Sequence, residues 1–260
     1  MRKLPLYTGI ATAFLLAIFH SPVSHGIING TPANSRNKIA QSTVAIFVDD
    51  ELECTGSIIN ANTILTAAHC FWSAVLAPIR VKVGFGLNFK ALQFRPVLRW
   101  TVNEDWHTLF VHGPEKNIAD IALVQIDGVL PNGYAPIDID MSKRQLNSGS
   151  KITIAGYGYE KANDQGSLGE LRFARLRVKN FNYSETEMLI DQRGKHKFFQ
   201  GDSGGPVVIM VHASPYLVAI GNHALDNSWN DLVATRTDRY VDWIARELQQ
   251  KLWTSDKFKR

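Results

Sequence analysis

Three short motifs place the residue types of a proton-relay triad along the chain. Ser203 lies within the sequence GDSGGP, His69 lies within TAAHC, and Asp120 begins the sequence DIAL. A serine hydroxyl is a weak nucleophile at neutral pH, so it requires an imidazole to accept its proton and a carboxylate to hold that imidazole in one tautomer. The three residues indicate acyl-transfer chemistry, with Ser203 as nucleophile, His69 as general base and Asp120 as the orienting acid.

Each motif has a simpler interpretation when it is taken alone. Ser-Gly-Gly is typical of a turn, a histidine after two alanines is usually structural, and an acid before an apolar run can begin a buried strand. Together, in the order His, Asp, Ser, the motifs resemble those of the trypsin/chymotrypsin-like serine endopeptidase family, from about Ile27 to about Gln250. An esterase or lipase is a weaker alternative, because the pattern around Ser203 does not indicate a nucleophile elbow between a strand and a helix.

The resemblance implies further roles in and near the serine motif. The backbone N–H groups of Gly201 and Ser203 would form the oxyanion hole, where one such donor lowers the barrier by roughly 3–4 kcal/mol. In this family, cleavage creates a new N-terminus whose ammonium group is buried against the residue before the catalytic serine. The implied activation pair is Ile27 and Asp202, since the stretch IING at Ile27 is similar to the family's Ile-Val-Gly-Gly, with Asn29 as a departure.

The chain contains two cysteines, Cys54 and Cys70. In an exported protein an even pair favours a disulfide, and the family resemblance implies this same bond beside His69. In the chain-entropy model, a bridge over so short a loop stabilises the fold by about 3 kcal/mol. Family members often carry further bridges, and Phe199 stands where one that braces the specificity pocket would begin. This disulfide-poor pattern favours a bacterial over an animal origin.

Residues 1–26 have the layout of a secretory signal peptide. Arg2 and Lys3 precede an apolar run over 4–19, and a short polar stretch follows over 21–26. We expect the mature chain to be secreted, either to the extracellular space or to a periplasm. A single membrane anchor is the alternative, although the run is short for a bilayer span. No other segment reaches that length, so no stable membrane span is expected in the mature chain.

The residues just before Ile27 bear on activation. Ser24 and Gly26 occupy the small-residue positions that signal peptidase prefers, so removal of the signal peptide could itself expose Ile27. The enzyme would then have no separate zymogen step. A dedicated protease that cuts between Gly26 and Ile27 is the alternative.

Short β-type runs separated by turn signals dominate the chain after the leader. Alternation such as RVKV at 80–83 and LRVK at 176–179 suits half-buried antiparallel strands. Six strands are expected in each half, and helical crossovers are lacking. We therefore predict an all-β fold of two six-stranded antiparallel β-barrels, followed by a C-terminal α-helix of apolar residues at helical spacing. The expected boundaries are 27–250 for the peptidase domain, about 27–137 and 138–237 for the two barrels, 238–252 for the helix and 253–260 for a polar tail.

The resemblance also implies which residues bind substrate. Trypsin-like cleavage after Lys or Arg depends on an acidic residue six positions before the catalytic serine, and Lys197 stands there instead, which disfavours such cleavage. The implied substrate-binding residues are Lys197, Phe198, Asn222, His223 and Ala224. Lys197, with His223, could receive an acidic substrate side chain. Alternatively, Lys197 faces solvent, as basic runs usually do, and Phe198 shapes a small apolar pocket.

Charge and composition limit the other partners. The formal net charge of +4 falls to +2 without residues 1–26, which is too balanced to indicate nucleic acid binding. The triad requires no metal or cofactor, and no Asp or Glu occurs from Phe71 through Asn103, where family members can hold calcium. We expect polypeptide substrates, protein inhibitors as possible further partners, and a monomer. The alternative class is a non-catalytic protease homologue that acts as a binding protein, although no triad residue is missing.

Overall fold

The computed structural model describes residues 27–106, 115–142, 145–160 and 168–249. The predicted signal peptide at 1–26 and the predicted tail at 253–260 lie outside these ranges. None of the helices within them has the length and apolar character that crossing a bilayer requires.

The described residues form fourteen β-strands and one α-helix. In chain order these are β1 (Thr31–Pro32), β2 (Thr43–Val48), β3 (Glu51–Asn60), β4 (Thr63–Thr66), β5 (Val81–Phe85), β6 (Gln93–Val102), β7 (Ala122–Ile126), β8 (Asp138–Ile139), β9 (Lys151–Gly156), β10 (Arg172–Asn180), β11 (Glu187–Asp191), β12 (Pro206–Val211), β13 (Ser214–Ala224), β14 (Asp231–Arg236) and α1 (Val241–Gln249).

Six antiparallel strands close into the first barrel. Their order is β2-β3-β4-β7-β6-β5, and β5 pairs with β2 to complete the ring. Every residue of β2 is buried, in keeping with its apolar run Val44–Val48. The core inside this barrel is continuous with side chains of the C-terminal helix, including Trp243 and Ile244.

The second barrel follows the same plan. Its strand order is β9-β10-β11-β14-β13-β12, and β12 pairs with β9 to close it. The two-residue strand β1 adds to the edge of β10, and β8 pairs with β13 in parallel. A second apolar core, which includes Ile154, Ile190 and Val207, fills this barrel.

The predicted architecture of two six-stranded antiparallel barrels and a C-terminal helix is confirmed. The helix begins later than the predicted residue 238. A 3-10 turn occupies Thr237–Arg239, and Tyr240 follows with φ −116° and ψ 10°, which is not helical. The regular helix therefore begins at Val241, and its described part ends at Gln249.

Thr55 on β3 joins the two barrels. Its N–H donates to the carbonyl oxygen of Ser203 at 2.8 Å, and its hydroxyl donates to the carbonyl oxygen of Gly201 at 2.9 Å. The same hydroxyl accepts a hydrogen bond from the backbone N–H of Tyr157 at 3.1 Å. Thr55 itself is fully buried, which limits the access of water to these bonds. The turn that carries Ser203 is thereby held against the first barrel.

Removal of the Thr55 hydroxyl should destabilise the junction between the barrels. Thr55→Val keeps the shape of the side chain but deprives the buried N–H of Tyr157 and the carbonyl oxygen of Gly201 of a partner, so the free energy of unfolding should fall by about 1–3 kcal/mol. Thr55→Ser keeps the hydroxyl and serves as the matched control. Urea unfolding of the three proteins measures the effect. A valine variant as stable as wild type would show that the hydroxyl does not support the junction.

Candidate active site

A disulfide and a short helical segment position His69. Cys54 on β3 and Cys70 are bonded, with their Cα atoms 6.1 Å apart. His69 lies at the start of the 3-10 segment Ala68–Val75, immediately after β4. The small residues Ala67 and Ala68 before it are fully buried, which lets the backbone turn closely against the core. His69 is therefore tied to β3 on one side and to β4 on the other.

Asp120 holds His69 through two hydrogen bonds. The Nδ1 atom of His69 lies 2.7 Å from Oδ2 of Asp120, and the backbone N–H of His69 donates to Oδ1 at 2.9 Å. Because the partner of Nδ1 is a carboxylate, Nδ1 carries the proton of the neutral ring and Nε2 is left as the acceptor. Asp120 is fully buried just before β7. The geometry fixes both the orientation and the tautomer of the imidazole.

The charges of this pair stabilise one another. Burial opposes the imidazolium, but the charge of Asp120, its hydrogen bond and the charge of Glu53 outweigh it, so the pKa of His69 is raised above 6.5. Burial likewise opposes the carboxylate of Asp120, yet the charge and hydrogen bonds of His69 hold the pKa of Asp120 below 3.8. Both directions agree with an ion pair when His69 is protonated.

Ser203 lies in a tight glycine-containing turn before β12. Gly201 and Gly204 have φ of +87° and +76°, which residues with side chains rarely adopt. A Cβ on Gly204 would also collide with the Thr66 hydroxyl at the end of β4. Glycine at this position lets the turn approach the strand that leads into His69, so the two residues meet at one surface.

His69 and Ser203 line the same cleft, which has a volume of about 690 Å³. The Ser203 hydroxyl donates to the carbonyl oxygen of Asn222 at 3.1 Å. No hydrogen bond joins it to His69 among the contacts of the described residues. The structure therefore brings the three predicted triad residues to one site, with the His69–Asp120 contact formed and the serine hydroxyl turned towards Asn222.

The backbone N–H groups near Ser203 differ in their hydrogen bonding. Those of Asp202, Gly204 and Gly205 donate to backbone carbonyl oxygens at 2.7–3.0 Å. Those of Gly201 and Ser203 have no acceptor within the described part of the chain. Since both residues line the cleft, these two donors are available to an oxygen atom that enters it.

Asp202 is a second buried acid, beside the serine. Its Oδ2 accepts from the N–H of Phe199 at 2.9 Å, and its Oδ1 accepts from the N–H of Gly158 at 2.8 Å. Ile27 is also buried and its backbone N–H donates to this carboxylate. Burial raises the pKa of Asp202 from 3.8 to about 7, because the hydrogen bonds from Phe199, Gly158 and Ile27 offset it only in part. The predicted pair of Ile27 and Asp202 thus lies in contact.

The segment that follows Ile27 is fixed to the second barrel. Ile28 and Lys197 form a two-way backbone bridge, with N–O distances of 3.0 and 3.3 Å. The side-chain amide of Asn29 donates to the carbonyl oxygen of Lys195 at 2.8 Å. Arg172 is buried and donates to the carbonyl oxygen of Gly30. These contacts hold Ile27 in its position next to Asp202.

Lys197 does not line the cleft. Its ammonium group donates to the carbonyl oxygen of Trp229 at 2.8 Å and to Oδ1 of Asn230 at 3.4 Å. The cleft wall next to it is formed instead by Phe198 and Phe199. The Phe198 ring is buried, and a Cβ on Gly221 would collide with it. This wall of the cleft is therefore aromatic, and the nearby positive charge is bound elsewhere.

The three predicted residues on β13 are all buried but differ in their contacts. Asn222 and His223 line the cleft, whereas Ala224 is not among the lining residues. The side-chain amide of Asn222 donates to the carbonyl oxygen of Asp120 at 3.1 Å and to the hydroxyl of Thr235 at 2.7 Å. Asn222 thus links the acid of the first barrel to the second barrel.

Other cleft residues were not identified from the sequence. Glu53 and Trp72 extend the wall of the first barrel, and Trp229 extends the wall of the second. Trp229 contacts Phe199, with ring centroids 4.4 Å apart. Glu53 and Trp72 are near neighbours of Cys54 and His69 in the sequence, so proximity to those residues was an available signal. Trp229 carries no comparable sequence signal.

One cluster of potential metal ligands occurs in the described ranges, namely Cys54, His69 and Cys70. Metal binding by cysteine requires a thiolate. Both sulfur atoms are consumed by the disulfide, so this cluster offers a metal the imidazole alone.

Comparison with known proteins identifies the family to which this fold belongs. The family model described as Trypsin matches residues 27–244, which is more than half of the chain. The chain therefore belongs to the trypsin family.

Curated relatives come from insects and mammals, among other animals. Trypsin iota of Drosophila melanogaster is 28% identical over 207 residues, which are 75% of this chain and 76% of the relative. Granzyme B of Homo sapiens is 25% identical over 241 residues, which are 86% of this chain and 92% of the relative. Cathepsin G of Mus musculus is 24% identical over 209 residues, which are 76% of this chain and 75% of the relative. These identities are low, so the preference for a substrate has to be argued from the residues of this chain.

Because the pKa of Asp202 is raised, the stability of the protein should fall as the pH rises. In a chain that retains residues before Ile27, the folded-state pKa of about 7 lies above the unfolded value of 3.8. Protonation of Asp202 then favours the folded state. Its contribution to the free energy of unfolding is fully present below about pH 4 and is lost as the pH rises through 7. The slope approaches about 1.4 kcal/mol per pH unit between these limits.

Urea unfolding from pH 4 to pH 8 measures that slope. Ser203→Ala should be the background in every sample, to prevent self-cleavage, and the comparison is between Asp202 and Asp202→Asn. The difference between the two proteins isolates the carboxyl group from all other titrating residues. If both lose stability equally with rising pH, Asp202 does not carry a raised pKa.

Proposed function

We propose that this protein is a secreted serine endopeptidase that hydrolyses peptide bonds through His69, Asp120 and Ser203. One observation carries the proposal. A fully buried carboxylate holds the His69 ring and backbone by two bonds of 2.7 and 2.9 Å, in a cleft that Ser203 also lines. Such a buried carboxylate–imidazole pair is what a serine nucleophile requires for its activation.

The proposed reaction proceeds in two halves. The Ser203 hydroxyl turns from the Asn222 carbonyl oxygen to His69, transfers its proton to Nε2 and attacks the carbonyl carbon of the peptide. The developing oxyanion accepts hydrogen bonds from the N–H groups of Gly201 and Ser203. His69 then donates the proton to the leaving amine, and an ester to Ser203 remains. In the second half, water loses a proton to His69 and attacks the ester carbon. The bond to Ser203 Oγ then breaks, His69 returns the proton to that oxygen, and the acid product leaves.

The proposal includes activation by a free N-terminus at Ile27. Removal of residues 1–26, as a signal peptide, would convert the Ile27 amide nitrogen into an ammonium group next to Asp202. A buried ion pair would then replace a buried acid whose pKa is raised, and an adjacent cation favours the charged carboxylate. Because Asp202 lies between Gly201 and Ser203, this pair would fix the two N–H donors of the proposed oxyanion hole.

The proposed substrate has a small apolar residue before the cleaved bond. The support is the buried Phe198 ring on the wall of the cleft and the engagement of the Lys197 ammonium with Trp229 and Asn230. A bulky ring leaves little space for a long side chain, and a lysine bound to other groups is not free to receive an acid. Cleavage after Arg or Lys is not expected.

An active-site probe tests the catalytic proposal. A fluorophosphonate should label the chain that begins at Ile27, and peptide mapping should find the label on Ser203. Ser203→Ala should abolish labelling, while Asp120→Asn should slow it by about 10⁴-fold, because the imidazole loses its tautomer. Ser35→Ala, at an exposed serine, is the control. A folded chain with an Ile27 terminus that does not label would favour the non-catalytic binding homologue.

A variant with an enlarged pocket tests the proposed preference for a small apolar residue. Phe198→Ala should raise the turnover of substrates with Leu or Phe before the cleaved bond by about 10-fold or more relative to Ala, since each added methylene in an apolar pocket contributes about 10-fold or more. Mass-spectrometric profiling of a peptide library gives these ratios, and the labelling rate verifies that each variant is folded.

Lys197→Met is the companion variant for this test. It should leave the preference for the residue before the cut unchanged, because the ammonium is bound to Trp229 and Asn230 and Lys197 does not line the cleft. Wild-type cleavage after Asp or Glu that disappears in Lys197→Met would instead establish the acidic preference and overturn the pocket proposal.

A further inference from the structure

Glu53 is the one acidic side chain among the described residues that line the cleft, and no Lys or Arg is present among them. It is partly buried on β3 between the buried residues Leu52 and Cys54. The carboxyl group of Glu53 has no hydrogen bond or ion pair within the described part of the chain. A carboxylate in this setting is partly desolvated and faces a cavity large enough for a side chain.

The environment of Glu53 favours a cationic partner. Burial of a carboxyl group without a hydrogen-bond partner is unfavourable for the charged form. Burial accordingly raises the pKa of Glu53, and the charge of His69 offsets this only in part. A cation placed in the cleft would remove the penalty and form a charge-assisted hydrogen bond, which is about twice as strong as a neutral one.

The position of Glu53 identifies the part of the substrate that it would contact. Glu53 precedes Cys54, which is bonded to Cys70 next to His69, so it lies on the same side of the cleft as His69. The wall formed by Phe198 and Phe199 belongs to the second barrel. In the proposed reaction, His69 delivers a proton to the leaving amine, so the chain that begins at this amine must run past His69. Glu53 is therefore on the leaving-group side.

Trp72 adds a second feature suited to a cation. It lies three residues after His69, lines the same cleft and is 44% exposed. The face of an indole ring attracts Lys and Arg side chains. A basic side chain on the leaving-group side would thus find a carboxylate and an exposed aromatic ring on one wall of the cleft.

We propose that Glu53 forms a subsite for a Lys or Arg side chain at the first or second residue after the cleaved bond. This proposal rests on the proposed function and adds to it the class of substrate. The preferred peptide has a small apolar residue before the cut and a basic residue shortly after it. Specificity for charge therefore lies on the leaving-group side of the site.

Matched peptide pairs provide the test. Each pair carries either arginine or citrulline, which has nearly the same shape without the charge, at the first or second residue after the cut. For wild type, kcat/KM should favour the arginine peptide by about 10-fold or more at one of these positions. In Glu53→Gln this ratio should fall to about 1, and in Glu53→Asp it should stay above that of the glutamine variant.

Glu51→Gln is the matched control. Glu51 lies two residues earlier on the same strand and is exposed outside the cleft. Its substitution removes the same single negative charge as Glu53→Gln without altering the cleft. Its ratio of arginine to citrulline should equal that of wild type. Because each value is a ratio within one protein, effects of Glu53 on the basicity of His69 cancel.

The outcomes distinguish this proposal from the proposed function. Labelling of wild-type Ser203 by the fluorophosphonate, together with no preference for arginine, overturns the subsite and leaves the endopeptidase proposal intact. A preference that Glu53→Gln retains also overturns the assignment to Glu53. Equal slowing of both peptides in Glu53→Gln shows that Glu53 acts through His69 and not as a subsite. Absence of labelling in wild type overturns the proposed function itself.

Discussion

The site depends on how the serine turn is attached to the first barrel. His69 and Asp120 belong to one barrel and Ser203 to the other, so no local interaction can bring them together. Thr55 makes the connection by binding the carbonyl oxygens of Ser203 and Gly201 from a single buried residue. The side chain of Asn222 makes a second connection, to the carbonyl oxygen of Asp120. Neutral hydrogen bonds from buried side chains suit this purpose because they fix direction without the desolvation penalty of charges.

Two buried aspartates show how a partner determines the consequence of burial. Asp120 and Asp202 are both fully buried, and burial alone opposes the charged form of each. Asp120 faces His69, and its pKa is lowered. Asp202 is bound by backbone N–H groups, which carry no net charge, and its pKa is raised to about 7. Asp120 therefore already has a partner that can carry a positive charge, whereas Asp202 has none. The backbone nitrogen of Ile27 is the group next to Asp202 that would become cationic as a free N-terminus.

The two walls of the cleft differ in chemistry. On the second barrel, Phe198 and Phe199 form an aromatic surface, and the ammonium of Lys197 is bound to the carbonyl oxygen of Trp229. The contact between Phe199 and Trp229 adds a further aromatic ring to this wall. On the first barrel, Glu53 presents a carboxylate beside His69. A substrate that crosses the cleft would therefore meet apolar contacts on one side of the serine and a negative charge on the other.

The family, the two six-stranded antiparallel barrels and the three triad candidates could be predicted from the amino-acid sequence. These features depend on short motifs and on local periodicity, which one chain segment contains in full. Which side chains face each other across the barrels could be seen only in the folded structure. The ammonium of Lys197 is bound 32 residues away, at Trp229, and neither the junction at Thr55 nor the orientation of Glu53 into the cleft has a local signature. The start of the helix at Val241 was not visible in the apolar spacing either, because Tyr240 is in register with the helix yet adopts a non-helical backbone. Periodicity predicts which face of an element is buried, but the partner on that face comes from distant segments, so the charges and contacts of the cleft emerge only when the barrels are assembled.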